Sequence, residues 1–169
     1  QQEDCIGQNQ HLVPISTQTQ AASLGDFVWL DEDADGIQDP GEDGIAGVEV
    51  TLTGGGADGV INGINDTTAT TTTDANGAYA FTGLNPGEEY QVVFGQPAGF
   101  VPSPADQGGD DTMDSDGLIA PIVTLASGEN NPTIDQGFYE TAGLGNFVWE
   151  DLDGDGTQDV GEPGVAGVT

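Results

Sequence analysis

Apolar positions along this chain come in short bursts instead of long helical stripes. Val48-Glu49-Val50-Thr51-Leu52 and Tyr90-Gln91-Val92-Val93-Phe94 alternate with the period of two that a half-buried strand requires. Runs of this kind predict strands near 26–30, 47–53, 67–73, 78–82, 89–95, 118–125 and 132–139, each bounded by Gly, Pro, Asn or Asp. The Asn-Gly pair of Asp74-Ala75-Asn76-Gly77 predicts a hairpin turn, and Leu84-Asn85-Pro86-Gly87 predicts the next turn. No segment sustains a 3.6-residue apolar period. Seven short strands at this spacing predict an all-β fold, a seven-stranded sandwich. Residues 1–23 lack core periodicity apart from Leu12-Val13-Pro14-Ile15 and read as an extended arm.

The pattern then begins again. Leu24-Gly25-Asp26-Phe27-Val28-Trp29 returns as Leu144-Gly145-Asn146-Phe147-Val148-Trp149, at a constant offset of 120 residues. Gly44-Ile45-Ala46-Gly47-Val48 returns as Gly164-Val165-Ala166-Gly167-Val168 at the same offset. That period is a whole domain and exceeds the roughly 20–50 residues of a solenoid repeat. Residues 24–140 are therefore expected to form one unit, and 141–169 to start a second, incomplete copy.

Between the first two strands of each copy lies a twelve-residue acidic loop, Asp31 to Glu42 and Asp151 to Glu162. Carboxylates occupy positions 1, 3, 5, 9 and 12, with Gly at position 6. This is the ligand order of an EF-hand calcium loop, whose oxygens alternate along the chain and whose final Glu binds bidentately. The expected ligands are Asp31, Asp33, Asp35, Asp39 and Glu42, and in the second copy Asp151, Asp153, Asp155, Asp159 and Glu162. Ile37 and Thr157, at position 7, would offer backbone carbonyls. The flanks are strands, not the paired helices of an EF-hand, so a stabilising role is expected in place of a switching one. Asp110, Asp111, Asp114 and Asp116, with Asp106 nearby, form a less regular cluster before the strand at 118–125 and read as a second calcium site. Asp135 lies on the following strand segment. Asp58, Asn62, Asn65 and Asp66 read as turn residues.

Composition sharpens this picture. The chain has no Lys or Arg against 30 Asp and Glu, a formal charge of −30. Nothing is available to neutralise nucleic-acid phosphates or to dock on an anionic membrane. Self-repulsion of this size opposes compaction unless cations offset it. No apolar stretch reaches the length of a membrane span, and the start at Gln1-Gln2 reads as a mature end left after signal removal. Calcium loops of this kind fill at extracellular calcium concentrations, so a secreted or cell-surface location is expected. Cys5 has no partner within the chain. His11 and Cys5 both sit in the arm, so no Ser-His or Cys-His arrangement is available on the folded unit. Carboxylate-only chemistry such as glycoside hydrolysis needs just two acids, but the acids here cluster as metal ligands and not as an isolated pair, so no enzymatic activity is expected.

Taken together, Gly25-Asp26-Phe27-Val28-Trp29 with its acidic loop, Gly44-Ile45-Ala46-Gly47-Val48, Thr73-Asp74-Ala75-Asn76-Gly77-Ala78-Tyr79-Ala80-Phe81, Leu84-Asn85-Pro86-Gly87 and Asp114-Ser115-Asp116 resemble the SdrD B-like domain. This is the calcium-binding B-repeat of serine-aspartate-repeat surface proteins, related to the Cna B-type fold. The resemblance implies a prealbumin-like Greek-key sandwich that binds several calcium ions and acts as a rigid spacer. It also implies that Asp31, Asp33, Asp35, Asp39 and Glu42 hold one ion, and that Asp110, Asp111, Asp114 and Asp116 contribute to another. The Lys-dependent isopeptide bond of many Cna B-type domains is impossible in a chain without Lys. The expected function is a non-catalytic, calcium-stabilised module of an extracellular protein, assembling with neighbouring copies head to tail. An adhesin module for a host, matrix or glycan ligand is the alternative.

Overall fold

The computed structural model describes residues 18–143, 145 and 147–168. Cys5, His11 and the Leu12–Ile15 run lie outside them. Ten short strands appear where seven are expected: β1 (Ala22–Leu24), β2 (Val28–Leu30), β3 (Glu49–Gly54), β4 (Thr67–Thr72), β5 (Phe81–Leu84), β6 (Glu89–Phe94), β7 (Phe100–Pro102), β8 (Val123–Thr124), β9 (Asn130–Asn131) and β10 (Gln136–Glu140). The described residues contain no α-helix, only a single 3-10 turn at Gly56–Asp58. The fold is all-β.

The strands form three sheets, in the orders β5-β1-β9, β2-β10-β7 and β4-β3-β6-β8. In the third, β3 lies between β4 and β6, antiparallel to both. Alternation does here what the sequence predicts: every second residue of β3 and β6 turns inward, placing Val50, Leu52, Tyr90, Val92 and Phe94 in the core. The other two sheets are built on parallel pairs, β1 beside β9 and β2 beside β10. Leu24, Val28, Phe81 and Phe138 come from these sheets into the same core. Tyr79 packs edge-on to Phe81 and Phe94, with ring centroids 6.1 and 5.6 Å away. Gly137 lies where the Trp29 indole crosses β10; a Cβ there would stand 2.8 Å from the ring.

Two expectations need correction. The Asn76-Gly77 turn does not close a hairpin, because β4 pairs with β3 and β5 pairs with β1. Asp74 takes over the turn, its carboxylate accepting from the amides of Asn76 and Ala78 at 2.8 and 3.0 Å, and the flanking strands part into different sheets. The boundary drawn after residue 23 also falls inside β1. Ala22 is buried and paired with Leu84, so the folded unit begins earlier than apolar patterning suggests.

Thr73 secures the turn before β3. Its hydroxyl donates to the Ile45 carbonyl at 2.6 Å and accepts from the buried Val48 amide at 2.9 Å. Thr73→Val keeps the shape and removes both bonds. It should cost about 1–3 kcal/mol, since a buried amide is left unpaired. Urea unfolding checks this, with a lowered midpoint at unchanged slope as the expected result.

Candidate metal centre

The first acidic loop leaves β2 at Asp31, whose amide donates to the Phe138 carbonyl at 2.9 Å and continues the β2–β10 pairing into the loop. Asp31 is fully buried. Its two oxygens accept from the amides of Asp35 (3.2 Å) and Gly36 (2.9 Å), which folds the loop back over its first residue. Asp35 accepts from the Ile37 amide at 2.8 Å. Glu42 closes the ring, its two oxygens accepting from the amides of Glu32 and Asp39 at 2.8 and 2.9 Å. Gly36 has φ +84°, and a Cβ there would stand 2.3 Å from the Pro104 carbonyl, so only glycine fits.

Within this web the side-chain oxygens gather in two overlapping groups. Those of Asp31, Asp33 and Glu42 lie within 4.8 Å of one another, as do those of Asp33, Asp35 and Asp39. Oxygens at such separations are bridged by an ion with ligands at roughly 2.3–2.6 Å, and an all-oxygen carboxylate set suits calcium. The residues present therefore fit a calcium ion. Local desolvation, then the charges of Asp35, Asp31 and Asp39, raise the pKa of Asp33, and desolvation raises that of Glu42. Bringing these acids together is unfavourable unless a cation offsets them.

The second loop repeats the arrangement. Asp151 accepts from Gly154 and Gly156, Asp155 from Thr157, and Glu162 from Leu152 and Asp159, at 2.7–2.9 Å. Asp151, Asp153 and Glu162 converge within 4.8 Å, and so do Asp153, Asp155 and Asp159. Asp151 is not buried, unlike Asp31. The same loop geometry thus arises in two different surroundings.

The cluster at 106–116 is arranged differently. No three of its carboxylates converge within 4.8 Å among the described residues. Asp110 is engaged locally, accepting from the Thr112 hydroxyl and amide, which lower its pKa. Asp114 sits against the first loop: its backbone bridges that of Ile37, Gln38 donates to the Met113 carbonyl, and Ser115 donates to Gly36. Burial, then the charges of Asp111, Asp106 and Asp110, raise its pKa. Asp116 accepts from the Asp135 amide at 2.7 Å, and the charges of Asp111, Asp114 and Asp106 act on it as well. Asp58 and Asp66 serve turns as expected, accepting from loop amides at Val60, Ile64 and Asn62.

Two acids that carry weight here are not among the expected ligands. Asp135 is buried just before β10, and Asp26 precedes the Phe27 amide that donates to Asp135. Burial, then the charge of Asp26, pushes the pKa of Asp135 up to about 9, and burial pushes that of Asp116 up to about 7. Recurrence of position 26 as Asn146, another oxygen donor, is the only sequence signal for it.

With no ions bound, these two groups keep protons that the unfolded chain gives up above about pH 4. Their contribution to stability is complete at lower pH and is lost as pH rises through about 7 and about 9. In chelator, the melting temperature should therefore fall between pH 4 and 9. A flat or rising series would overturn this.

Comparison with known proteins accords with the repeat. The model of the SdrD B-like domain family matches residues 22–138 and again 142–169. Serine-aspartate repeat-containing protein F of Staphylococcus epidermidis is 45% identical over 148 residues, covering 86% of this chain and 8% of that protein. Serine-aspartate repeat-containing protein D of Staphylococcus aureus strain Newman is 45% identical over 149 residues, covering 87% of this chain and 10% of that protein. The chain thus spans about a tenth of each relative's length. Among solved structures, the shaft pilin SpaA of Lactobacillus rhamnosus GG aligns at 15% identity with a TM-score of 0.41, over 74% of this chain and 52% of the pilin. That likeness is too distant to carry an argument. The two family matches, 120 residues apart at their first strands and loops, establish that the chain belongs to the SdrD B-like domain family.

Proposed function

We propose that this chain is a non-catalytic, calcium-stabilised structural module of an extracellular or cell-surface protein, a rigid spacer within a tandem array. The observation that carries the reading is the duplicated loop. In both copies the carboxylates at positions 1, 5 and 12 are held by loop amides, and the five acids converge in two triads that share the position-3 carboxylate, in a chain with no Lys or Arg to balance them. Calcium offsets that repulsion and ties the β2 end to the loop stitched against it. A Greek-key, prealbumin-like sandwich belongs to the same reading. Among the described residues no helix is long and apolar enough to cross a membrane.

Self-assembly with neighbouring copies draws support from β4. This strand, Thr67–Thr72, is a sheet edge with five threonines, one alanine and no charge, and it is largely exposed. An edge of this kind accepts an added strand. The adhesin alternative draws no such support. A cleft of about 530 Å3 is lined by Asn85, Glu88 and Tyr90, yet these bond to one another and to Gly56.

Thermal unfolding of the full chain tests the calcium reading. Calcium at about 100 times its dissociation constant adds roughly 2.7 kcal/mol per site. Chelation should therefore lower the melting temperature by about 10 °C for a domain of this size, and magnesium should not restore it. Indifference to chelator would end the calcium reading. Sedimentation in calcium tests assembly, which a monomer at every concentration would exclude.

A further inference from the structure

Among the described residues β4 is the longest sheet edge, six residues against two to four in β2, β5, β7, β8 and β9. It pairs with β3 along its whole length without a bulge, yet none of its side chains is buried. Edges are ordinarily blunted by charge, proline, bulges or shortness, and Thr67–Thr72 has none of these. Thr67, Ala69 and Thr71 pair with Gly54, Leu52 and Val50, all buried, so they share the core-facing side of the sheet. That side nevertheless stays uncovered: Ala69 is exposed and lines the cleft of about 530 Å3, with Leu52, Leu84 and Tyr90 among its walls. The same cleft is bordered by Gly56, Ala57 and Asn65 of the 55–65 insertion. Carboxylates pin this insertion: Glu88 accepts from the Gly56 amide at 2.7 Å, Asp58 from Val60 and Ile64 at 3.3 and 2.8 Å, and Glu89 from Ile61 at 3.0 Å. Held in this way, it presents Val60 and Ile64 to solvent, 50% and 73% exposed.

We infer that this face, β4 with the cleft and the insertion beside it, is a lateral contact between two copies of the chain. The inference rests on the self-assembly reading above and names its surface. The face carries both halves of a self-complementary contact, apolar tips at Val60 and Ile64 and a cleft with apolar walls, as a two-fold interface requires. An uncharged six-residue edge is matched in length by the same edge of a second copy. Antiparallel pairing of the two adds main-chain hydrogen bonds where β3 leaves donors and acceptors free. Charge selects the place. Copies of a chain carrying −30 repel one another over most of their surface, and Thr67–Thr72 adds nothing to that repulsion. A basic partner would be drawn to the acidic loops instead. The acids bordering the face, Asp58, Asp66 and Glu88, oppose the approach, so added salt should strengthen the contact by screening them.

Sedimentation equilibrium of the full chain in calcium, at low and at high salt, reads the contact. Thr70→Glu puts a charge on the exposed edge, and Ile64→Ser removes an apolar tip. Ile119→Ser is the control, at a 66% exposed position bridged to β6, toward the β8 edge of the same sheet. Thr70→Glu and Ile64→Ser should each weaken association by about tenfold or more and melt like the parent. The control should associate as the parent does. Hydrogen exchange reads the strand pairing directly: Thr67–Thr72 amides that exchange freely in dilute protein should become protected at high concentration, in the parent and not in Thr70→Glu. Should Thr70→Glu melt below the parent, Ile64→Ser and the parent's exchange pattern decide. Association at parental strength in both variants, with no gain in protection along β4, would overturn the inference and leave assembly to another surface. A parent that stays monomeric at every concentration and salt would remove this inference and the self-assembly reading together.

Discussion

Asp31→Ala should lower the melting temperature of the calcium-loaded chain by more than about 12 °C, at about 3 °C or more per kcal/mol for a domain of this size. Two losses add. The ion loses its buried ligand, worth roughly 2.7 kcal/mol at 100 times the dissociation constant. The Asp35 and Gly36 amides lose their acceptor, and a buried unpaired amide costs about 1–3 kcal/mol. In chelator only the second loss remains, so the gap between parent and variant should narrow. Calorimetry of both proteins with calcium and with chelator reads the difference directly. An equal gap in both conditions would mean that Asp31 shapes the loop without holding an ion.

Phe138→Ala should be as damaging and indifferent to calcium. Phe138 is completely buried at the centre strand of the β2-β10-β7 sheet, and truncating such a ring costs about 3–5 kcal/mol. That is a large part of the 5–15 kcal/mol that holds an ordinary domain together. The backbone bond from Asp31 to Phe138 survives the change, so the increment on adding calcium should match the parent's. Urea titrations with and without calcium measure both quantities. A cost below about 1 kcal/mol would be incompatible with the packing of β10 described above.

Much of this was legible in the sequence where a local rule governs. Strict alternation located β3 and β6, and the loop spacing located both carboxylate rings, because ligand order and the glycine turn are set within twelve residues. Strands β1, β7 and β9 were missed, being two or three residues long with no room for alternation. The segment 118–125 was read as one strand but is paired over only Val123–Thr124, with a single bridge at Ile119. Asn76-Gly77 misled for another reason: a turn motif fixes the backbone locally but not which sheet each arm joins. Asp110, Asp111, Asp114 and Asp116 were grouped by nearness in sequence; in the fold the charges of Asp111 and Asp106 act on both Asp114 and Asp116, while the Asp116 carboxylate also accepts from the Asp135 amide, a partner that nearness in sequence does not encode. Desolvation of Asp135 depends on what packs over it, which spacing does not encode.

The parallel pairing of the first strands with the last has a consequence for how the domain responds to a pull. Since β2 runs beside β10 in the same direction, and β1 beside β9, the two chain ends leave from opposite ends of these pairs. Tension between them acts along the strands and loads the β2–β10 hydrogen bonds together in shear, not one after another as in unzipping. The bond from Asp31 to Phe138 extends that shear-bearing row into the first acidic loop. An ion there would sit at one end of the row that must slip before the domain can be drawn out.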